Sequence, residues 1–206
     1  MKRATFDRDD FLDAALAIVA ERGPPAVTVA SVIERVNAPT GSFYHRFASR
    51  DVLLGELWLR TVLAFQEGWM PLLDAGDGLG AALYTPQWVR THLNEACLLL
   101  LYHRDDFVQG RWPAALRAGV ARQTRAVEAG ITKFAQDTFG RVGPEEMRCA
   151  QFLLAEVPVA AVRQHLLRRE PPPPMVDELI RISYKSVVDA YRAGAIRSPG
   201  GAAAGG

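Results

Sequence analysis

The sequence has little that would indicate a secreted, membrane-spanning or metal-binding protein. Its only two cysteines, Cys97 and Cys149, are far apart and lie in apolar helical patterns. Two isolated thiols are typical of buried cysteines in a reducing compartment and supply no zinc ligand set. No apolar run approaches the roughly eighteen residues of a membrane span, and the N-terminal MKRATFDRDD becomes acidic without a signal-peptide core. We therefore expect a cytoplasmic protein with no metal, no cofactor and no membrane partner.

The sequence also lacks the alternation that β-strands require. No segment alternates apolar and polar residues for long, and no Asn-Gly hairpin dipeptide separates strand-like runs. Apolar residues recur instead at helical spacing along most of the 206 residues, which predicts an all-α fold of about nine helices. The net charge of +1 indicates no particular partner, so functional signals have to be local.

The first fifty residues carry the start and stop signals of short helices. Thr28 has the side chain of an N-cap for a second helix, and Asn37 tolerates the left-handed backbone of a tight turn. Pro39 or Thr40 opens a very short third helix, and Ser49 can cap a fourth. A helix followed by two short helices across a tight turn predicts a helix-turn-helix domain over residues 1–50.

Residues 37–50, NAPTGSFYHRFASR, combine three aromatic residues and two arginines with no acidic residue. Helical spacing turns Phe43 and Phe47 toward the first two helices. The polar residues of the segment then face outward, and they are Thr40, Ser42, Tyr44 and His45. An outward face of hydroxyl and cationic groups is suited to an anionic partner.

The remaining chain predicts a larger helical ligand-binding and dimerisation domain over residues 51–197, followed by a disordered Gly/Ala-rich tail over 198–206. A helix is expected to about residue 70 and a loop from Pro71 to Pro86, where glycines cluster. Further helices are expected over 86–102, 114–139, 145–169 and 175–192, with a local break at Pro158.

Residues 36–54, VNAPTGSFYHRFASRDVLL, resemble the turn, the recognition helix, the Tyr-x-x-Phe pair and the following Ser-Lys-x-x-Leu of TetR-like transcriptional regulators. The resemblance covers roughly residues 8–54, and beyond them only the helical architecture is shared. Three positions depart from the family pattern. Asn37 replaces the usual Gly, Pro39 replaces the usual Ser or Thr, and Arg50 replaces the usual Lys, which is a mild change for a phosphate partner.

The resemblance implies double-stranded DNA as a partner. Thr40 and Ser42 are placed to reach base edges, and Tyr44 to donate to a phosphate. The full predicted DNA-binding set is Thr28, Pro39, Thr40, Gly41, Ser42, Tyr44, His45, Arg46 and Arg50. Lys2 and Arg3 are a further candidate, as an arm that enters the groove.

The resemblance also implies a small-molecule effector, largely apolar, bound among the helices of the second domain. Candidate effector-binding residues are Trp58, Phe65, Trp88, His92, Glu95, Tyr102, Trp112, Gln151 and Glu156. Arg117, Arg122 and Arg125 form a basic face on one long helix, which is interpreted as solvated.

These expectations combine into a non-enzymatic, nucleoid-associated regulator, specifically a repressor. It would bind a palindromic operator as a homodimer through the last two long helices, about 145–169 and 175–192, and an effector would release it. Two alternatives stay open, a helical enzyme and a protein-binding scaffold, each with a vestigial helix-turn-helix module. No Ser/His/Asp, Cys/His or phosphate-loop motif supports the enzyme.

Overall fold

The computed structural model describes residues 6–107 and 112–196, and all regular structure within those ranges is helical. The helices are α1 (Arg8–Arg22), α2 (Val29–Val36), α3 (Thr40–Tyr44), α4 (Arg50–Asp74), α5 (Gly78–Thr91), α6 (Leu93–Leu101), α7 (Ala114–Phe139), α8 (Pro144–Gln151), α9 (Val157–Leu167) and α10 (Met175–Arg192). A π-helical turn, Phe152–Glu156, joins α8 to α9 into one rod. The predicted all-α fold of about nine helices is confirmed. The predicted tail (198–206) and the Lys2–Arg3 arm lie outside the described residues.

In the helix-turn-helix domain, the residues that the sequence predicts as helix caps and as the turn have these roles in the structure. Thr28 Oγ1 accepts from the Ser31 amide at 3.0 Å and caps α2. Asn37 ends α2 in the left-handed conformation, with φ 56° and ψ 44°. Ser49 Oγ accepts from the Val52 amide at 3.2 Å and caps α4. Each cap satisfies a backbone group that the start or end of a helix leaves without a partner.

Three phenylalanines hold α3 to the rest of this domain. Phe11 of α1, Phe43 of α3 and Phe47 are fully buried. The ring centroids are 5.6 Å apart for the pair Phe43–Phe47 and 6.2 Å apart for the pair Phe11–Phe47. At this spacing, aromatic pairs attract each other by more than the burial of their area alone contributes. A five-residue helix has no core of its own, so these contacts fix the direction in which its outer face points.

The predicted loop from Pro71 to Pro86 is wrong. Helix α4 continues to Asp74 with Pro71 inside it, and α5 begins at Gly78, leaving only residues 75–77 as a connection. Asp77 caps α5 by accepting from the Gly80 amide at 2.8 Å. Gly78 is required by packing, because a Cβ there would lie 2.1 Å from Phe134 Cε2. Gly78 therefore indicates a close approach between α5 and α7, not a loop.

The predicted helix over 86–102 is also corrected. Pro86 lies in the interior of α5, and the chain breaks instead at His92, whose φ is −134° and ψ is 53°, before α6 begins. The expected local break at Pro158 takes the form of the π-helical turn that precedes it. A proline clashes with the carbonyl four residues earlier, and a wider turn relieves that clash.

Two polar networks attach α10 to the domain. Arg90 of α5 donates to both carboxylate oxygens of Asp177, at 2.7 and 3.0 Å. Glu146 of α8 is buried and accepts from the Tyr191 hydroxyl and from Arg141 Nε, the latter at 2.6 Å. The hydrogen bond from Tyr191, aided by Arg141, lowers the pKa of Glu146 despite its burial. In the described part of the chain, no helix is long and apolar enough to cross a membrane.

Candidate nucleic-acid interface and ligand groove

The outer face of α3 presents the polar groups that the sequence singles out. Tyr44 is 58% exposed, and its ring stands edge-on to Phe43 with centroids 5.4 Å apart. Thr40 and His45 are exposed beside it, as is Pro39, and Ser42 is half-buried. An exposed tyrosine supported by a buried phenylalanine keeps its direction while its hydroxyl stays available to a partner.

Gly41 stands in the middle of this face and is not required by the fold. An added Cβ would meet no atom of the described residues within 4 Å, and the backbone is ordinary α-helix. A glycine inside a helix without a packing or conformational need lowers helix stability. Neither packing nor backbone conformation among the described residues therefore explains Gly41.

Two of the predicted phosphate contacts are engaged inside the protein. Arg50 donates from Nε to the Val27 carbonyl at 2.5 Å and from Nη2 to the Pro24 carbonyl at 2.9 Å. Arg46 donates to the carbonyls of Ser42, at 2.9 Å, and Phe6. Carbonyls carry no formal charge, but Arg50 Nη1 also lies 3.4 Å from Asp51 Oδ1. Among the described residues, only Arg46 of the two is without a carboxylate within 4 Å, and both side chains are held in fixed positions.

Arg35 contributes no free charge to this surface. It forms a two-pronged pair with Glu21 of α1, at 2.8 and 2.5 Å. The hydrogen bonds from Arg35 lower the pKa of Glu21. Thr28 is exposed while it caps α2, so its hydroxyl lies beside the exposed start of that helix.

The predicted effector-binding residues do not meet at one place. Phe65, Trp88 and His92 form one packed cluster, in which Phe65 and Trp88 lie 5.1 Å apart and His92 stacks on Trp88 at 5.1 Å. Tyr102 packs instead on Gly23 of the helix-turn-helix domain, where its hydroxyl would lie 3.1 Å from an added Cβ.

The polar candidates are also dispersed. Glu156 pairs with both guanidinium ends of Arg148, at 2.5 and 2.9 Å. Gln151 is exposed on α8, and Glu95 is half-buried in the first turn of α6. Aromatic stripes identify helical faces, but their period does not tell which neighbour covers each face.

Trp58 and Trp112 do border a common groove, between α4 and α7. One cavity of about 260 Å³ is bordered by Trp58, Val62 and Val127 among others. A second, of about 500 Å³, is bordered by residues that include Trp112, Arg117 and Arg125. Both cavities share Arg104, Thr124 and Glu128, so they adjoin along α7.

Trp112 has an unusual environment at the groove. The residue is 6% exposed, and its indole Nε1 is buried with no hydrogen-bond partner among the described residues. The indole lies close to α4, where a Cβ added to Gly55 would lie 2.5 Å from Trp112 Cζ2. A buried donor without an acceptor costs about 1–3 kcal/mol, so the described residues leave this group unsatisfied.

Arg117 and Arg125 are functional candidates that the sequence reading treated as solvated. The structure separates them from Arg122, which does not border the groove. Their spacing of eight residues, with Ala121 between them, follows one face of a helix, whereas Arg122 projects to another. This eight-residue spacing is the feature of the sequence that could have identified Arg117 and Arg125 as a pair on one helix face.

Helix α4 links the groove to the helix-turn-helix domain. Arg8 of α1 donates from Nε to Glu56 at 2.7 Å. Arg60 of α4 reaches Asp13 at 2.7 Å and Asp9 at 3.3 Å in α1. Trp58, which borders the groove, lies between these two attachments in sequence.

Comparison with known proteins agrees with this geometry. The sequence profile described as "Bacterial regulatory proteins, tetR family" matches residues 11–57. The chain has the fold of FadR from Bacillus subtilis, solved with stearoyl-CoA, at a TM-score of 0.63 and 15% identity over 91% of this chain and 99% of that one. It is also similar to SmeT, the repressor of the Stenotrophomonas maltophilia SmeDEF efflux pump (TM-score 0.60, 15% identity, 95% of each chain).

A third similar structure is the ketosteroid regulator KstR2 of Mycobacterium tuberculosis (TM-score 0.59, 16% identity, 91% of this chain and 96% of that one). No curated protein sequence matches at a significant level. The profile therefore assigns a tetR-type DNA-binding domain to residues 11–57, and the solved structures show that the chain shares their fold beyond it. Within the described ranges, no cluster of three His, Cys, Asp or Glu side chains is placed to hold a metal ion.

Proposed function

We propose that this regulator is a homodimeric repressor that binds palindromic operator DNA in the cytoplasm, at the nucleoid, and is released by a small-molecule effector. The observation that carries the proposal is the outer face of α3, where Tyr44 is 58% exposed over a fully buried Phe43. Two such faces related by a two-fold axis read two half-sites in successive major grooves.

Each residue of the interface has a role that its chemistry supports. Thr40 and Ser42 contact base edges, while Tyr44, His45 and Thr28 contact phosphates. Pro39 and Gly41 let the backbone approach the duplex. Arg46 and Arg50 supply positive charge from fixed positions, since their donors already hold backbone carbonyls.

The dimer forms through the α8–α9 rod and α10. Leu179 (53% exposed) and Ile182 (61% exposed) continue a stripe that begins at Met175 (66% exposed) on α10. Leu167 and Phe152 are exposed on the rod. Large apolar side chains spaced three and four residues apart on long helices form a contact surface in water, and two copies of these helices make a four-helix bundle.

Release follows from the position of α4 between groove and DNA-binding domain. An effector that prefers a displaced α4 pulls on α1 through Arg8–Glu56 and Arg60–Asp13. The spacing of the two α3 helices then no longer fits two major grooves. A tenfold loss of operator affinity needs about 1.4 kcal/mol of coupling between the two sites.

The operator test uses Tyr44→Ala and Tyr44→Phe on genomic fragments selected by the wild-type protein. We expect Tyr44→Ala to weaken binding tenfold or more. Tyr44→Phe isolates the loss of the hydroxyl, and both variants should unfold at the wild-type urea concentration because the ring is exposed. Binding should weaken with salt at a slope near −0.9 per phosphate neutralised. Affinity of Tyr44→Ala within twofold of wild type, or a flat salt response, contradicts the interface.

The dimer test uses Ile182→Asp, with Leu63→Asp as the matched control. Leu63 is 44% exposed on α4, away from the proposed interface. Sedimentation should show monomers for Ile182→Asp and dimers for Leu63→Asp, because only the first places a charge in an apolar interface. A dimeric Ile182→Asp variant places the interface elsewhere.

A further inference from the structure

The groove between α4 and α7 differs in chemistry from one end to the other. We infer that its ligand is an amphipathic anion, an apolar molecule that carries one carboxylate or phosphate group. This inference rests on the proposed ligand-responsive function and specifies the class of effector.

The inner end of the groove is apolar. The cavity of about 260 Å³ lies against Trp58 and Val62 of α4 and Val127 of α7, and almost all of its accessible wall is apolar. Its polar neighbours are Gln66 and Gln123, together with Arg104, Thr124 and Glu128, which it shares with the second cavity. Gln66 is buried, and Trp58 is half-buried. Aliphatic and aromatic walls favour the hydrocarbon portion of a ligand, because its burial contributes about 25 cal/mol per Å² of apolar surface.

The outer end of the groove is cationic. Arg104, Arg117 and Arg125 border the cavity of about 500 Å³, and Glu128 is the acidic residue that borders it with them. Arg104 has a carboxylate, Asp105, at 3.5 Å. In the described ranges, neither Arg117 nor Arg125 has a carboxylate within 4 Å, so no described residue forms an ion pair with either of them.

Arg117 and Arg125 each offer a planar guanidinium group to an anion at this cavity. Guanidinium groups bind carboxylates and phosphates through paired hydrogen bonds, which are stronger than those between neutral groups. Trp112 also borders this cavity, although its Nε1 is buried and has no acceptor among the described residues. Three arginines and one glutamate border the cavity, and this excess of positive charge favours an anionic ligand over a cationic one.

Titration calorimetry with eight-carbon probes tests this inference on the full chain without DNA. Octanoate, octan-1-ol and octylamine share one hydrocarbon chain and differ in charge. We expect octanoate to bind about tenfold more tightly than octan-1-ol, with octylamine weakest. Octyl phosphate separates the two anions, since tighter binding than octanoate assigns a phosphate head and equal or weaker binding assigns a carboxylate. Absent binding of octanoate, or tighter binding of the alcohol or amine, overturns the inference.

The double variant Arg117→Gln/Arg125→Gln locates the anion, with Arg122→Gln as the control on the same helix. We expect the double variant to bind octanoate no better than octan-1-ol, and to bind octan-1-ol as the wild type does. Arg122→Gln should keep the wild-type preference, and an equal loss in the control would show an effect of net charge alone and overturn the site. Operator binding by the double variant in the absence of octanoate stays at the wild-type level, so failure of the groove and failure of DNA binding are distinguishable.

Discussion

The helix-turn-helix domain and the α4–α7 groove satisfy their polar groups to very different degrees. In the first, Arg35 pairs with Glu21 and Arg50 holds two backbone carbonyls. In the second, Arg117 and Arg125 have no carboxylate within reach among the described residues, and the Trp112 indole N–H has no acceptor. Among the described residues, these groups have partners in the first region and lack them in the second.

The difference follows from what each region has to do. A reading surface must present its side chains in one arrangement, so α3 is fixed by buried rings and its neighbours by caps. A ligand groove must gain free energy from its occupant, so its donors cannot already be satisfied. We therefore expect substitutions of the buried rings and caps in the first region to change stability mainly, and substitutions in the groove to change ligand binding more than stability.

The largest expected effect is that of Phe43→Ala in the buried core of the helix-turn-helix domain. Loss of a fully buried ring should reduce the free energy of unfolding by about 3–5 kcal/mol, measured by urea denaturation. Trp58→Ala removes a larger side chain, but it should cost less because Trp58 is half-buried and borders a cavity. If Trp58→Ala proves as destabilising as Phe43→Ala, the two regions are equally close-packed and the comparison fails.

A second effect is expected at Gly55, where the groove is tight. The Cβ of Gly55→Ala would lie 2.5 Å from the Trp112 ring, and overpacking of this kind costs about 1–3 kcal/mol. The indole can move toward the adjoining cavity, so the cost should fall near the lower limit while octanoate affinity changes severalfold. Calorimetry and urea denaturation on the same variant separate these outcomes. A large loss of stability with unchanged ligand affinity would show that Trp112 has no role at the groove.

A third effect concerns Arg50, which joins the start of α4 to the turn before α2. Arg50→Gln removes the donors to the Val27 and Pro24 carbonyls. We expect a loss of about 1 kcal/mol, since a net hydrogen bond contributes about that much and the group is partly exposed to water. Arg50→Lys keeps the charge, so operator binding that falls for glutamine but recovers for lysine identifies a phosphate contact in addition. Unchanged stability in both variants would contradict the anchoring role.

The sequence predicts local structure best where one residue decides it. The Thr28 cap, the left-handed Asn37 and the bounds of the last helix depend on short-range chemistry, and the structure agrees with all three. The loop predicted around Pro71 and Pro86 was wrong because tertiary packing holds both prolines inside helices. A glycine such as Gly78 signals close approach or a turn equally, and only the neighbouring helix decides which.

The two candidate sites also differ in whether local residues or tertiary packing decide their structure. The outer face of α3 was predictable because Phe43 of this short helix and Phe47, three residues beyond its end, are both buried. The groove was not, because it requires the contact between α4 and α7, which no local pattern encodes. Phe65 and Trp88 have the same periodic signal as Trp58, yet they pack on each other rather than at the groove.

The smallest expected effect, at Gly41, separates the two kinds of region most sharply. Gly41→Ala meets no neighbour within 4 Å among the described residues, and alanine is the better helix former by about 0.5–1 kcal/mol. The variant should therefore be slightly more stable than the wild type in urea. Its operator affinity should fall, because the added methyl group lies on the face proposed to approach the duplex. Alanine at Gly140, which lies at a φ of +80° far from α3, is the control: it should destabilise the chain and leave operator affinity unchanged. A Gly41→Ala variant that gains stability and binds the operator as the wild type does would mean that the duplex does not approach this part of α3.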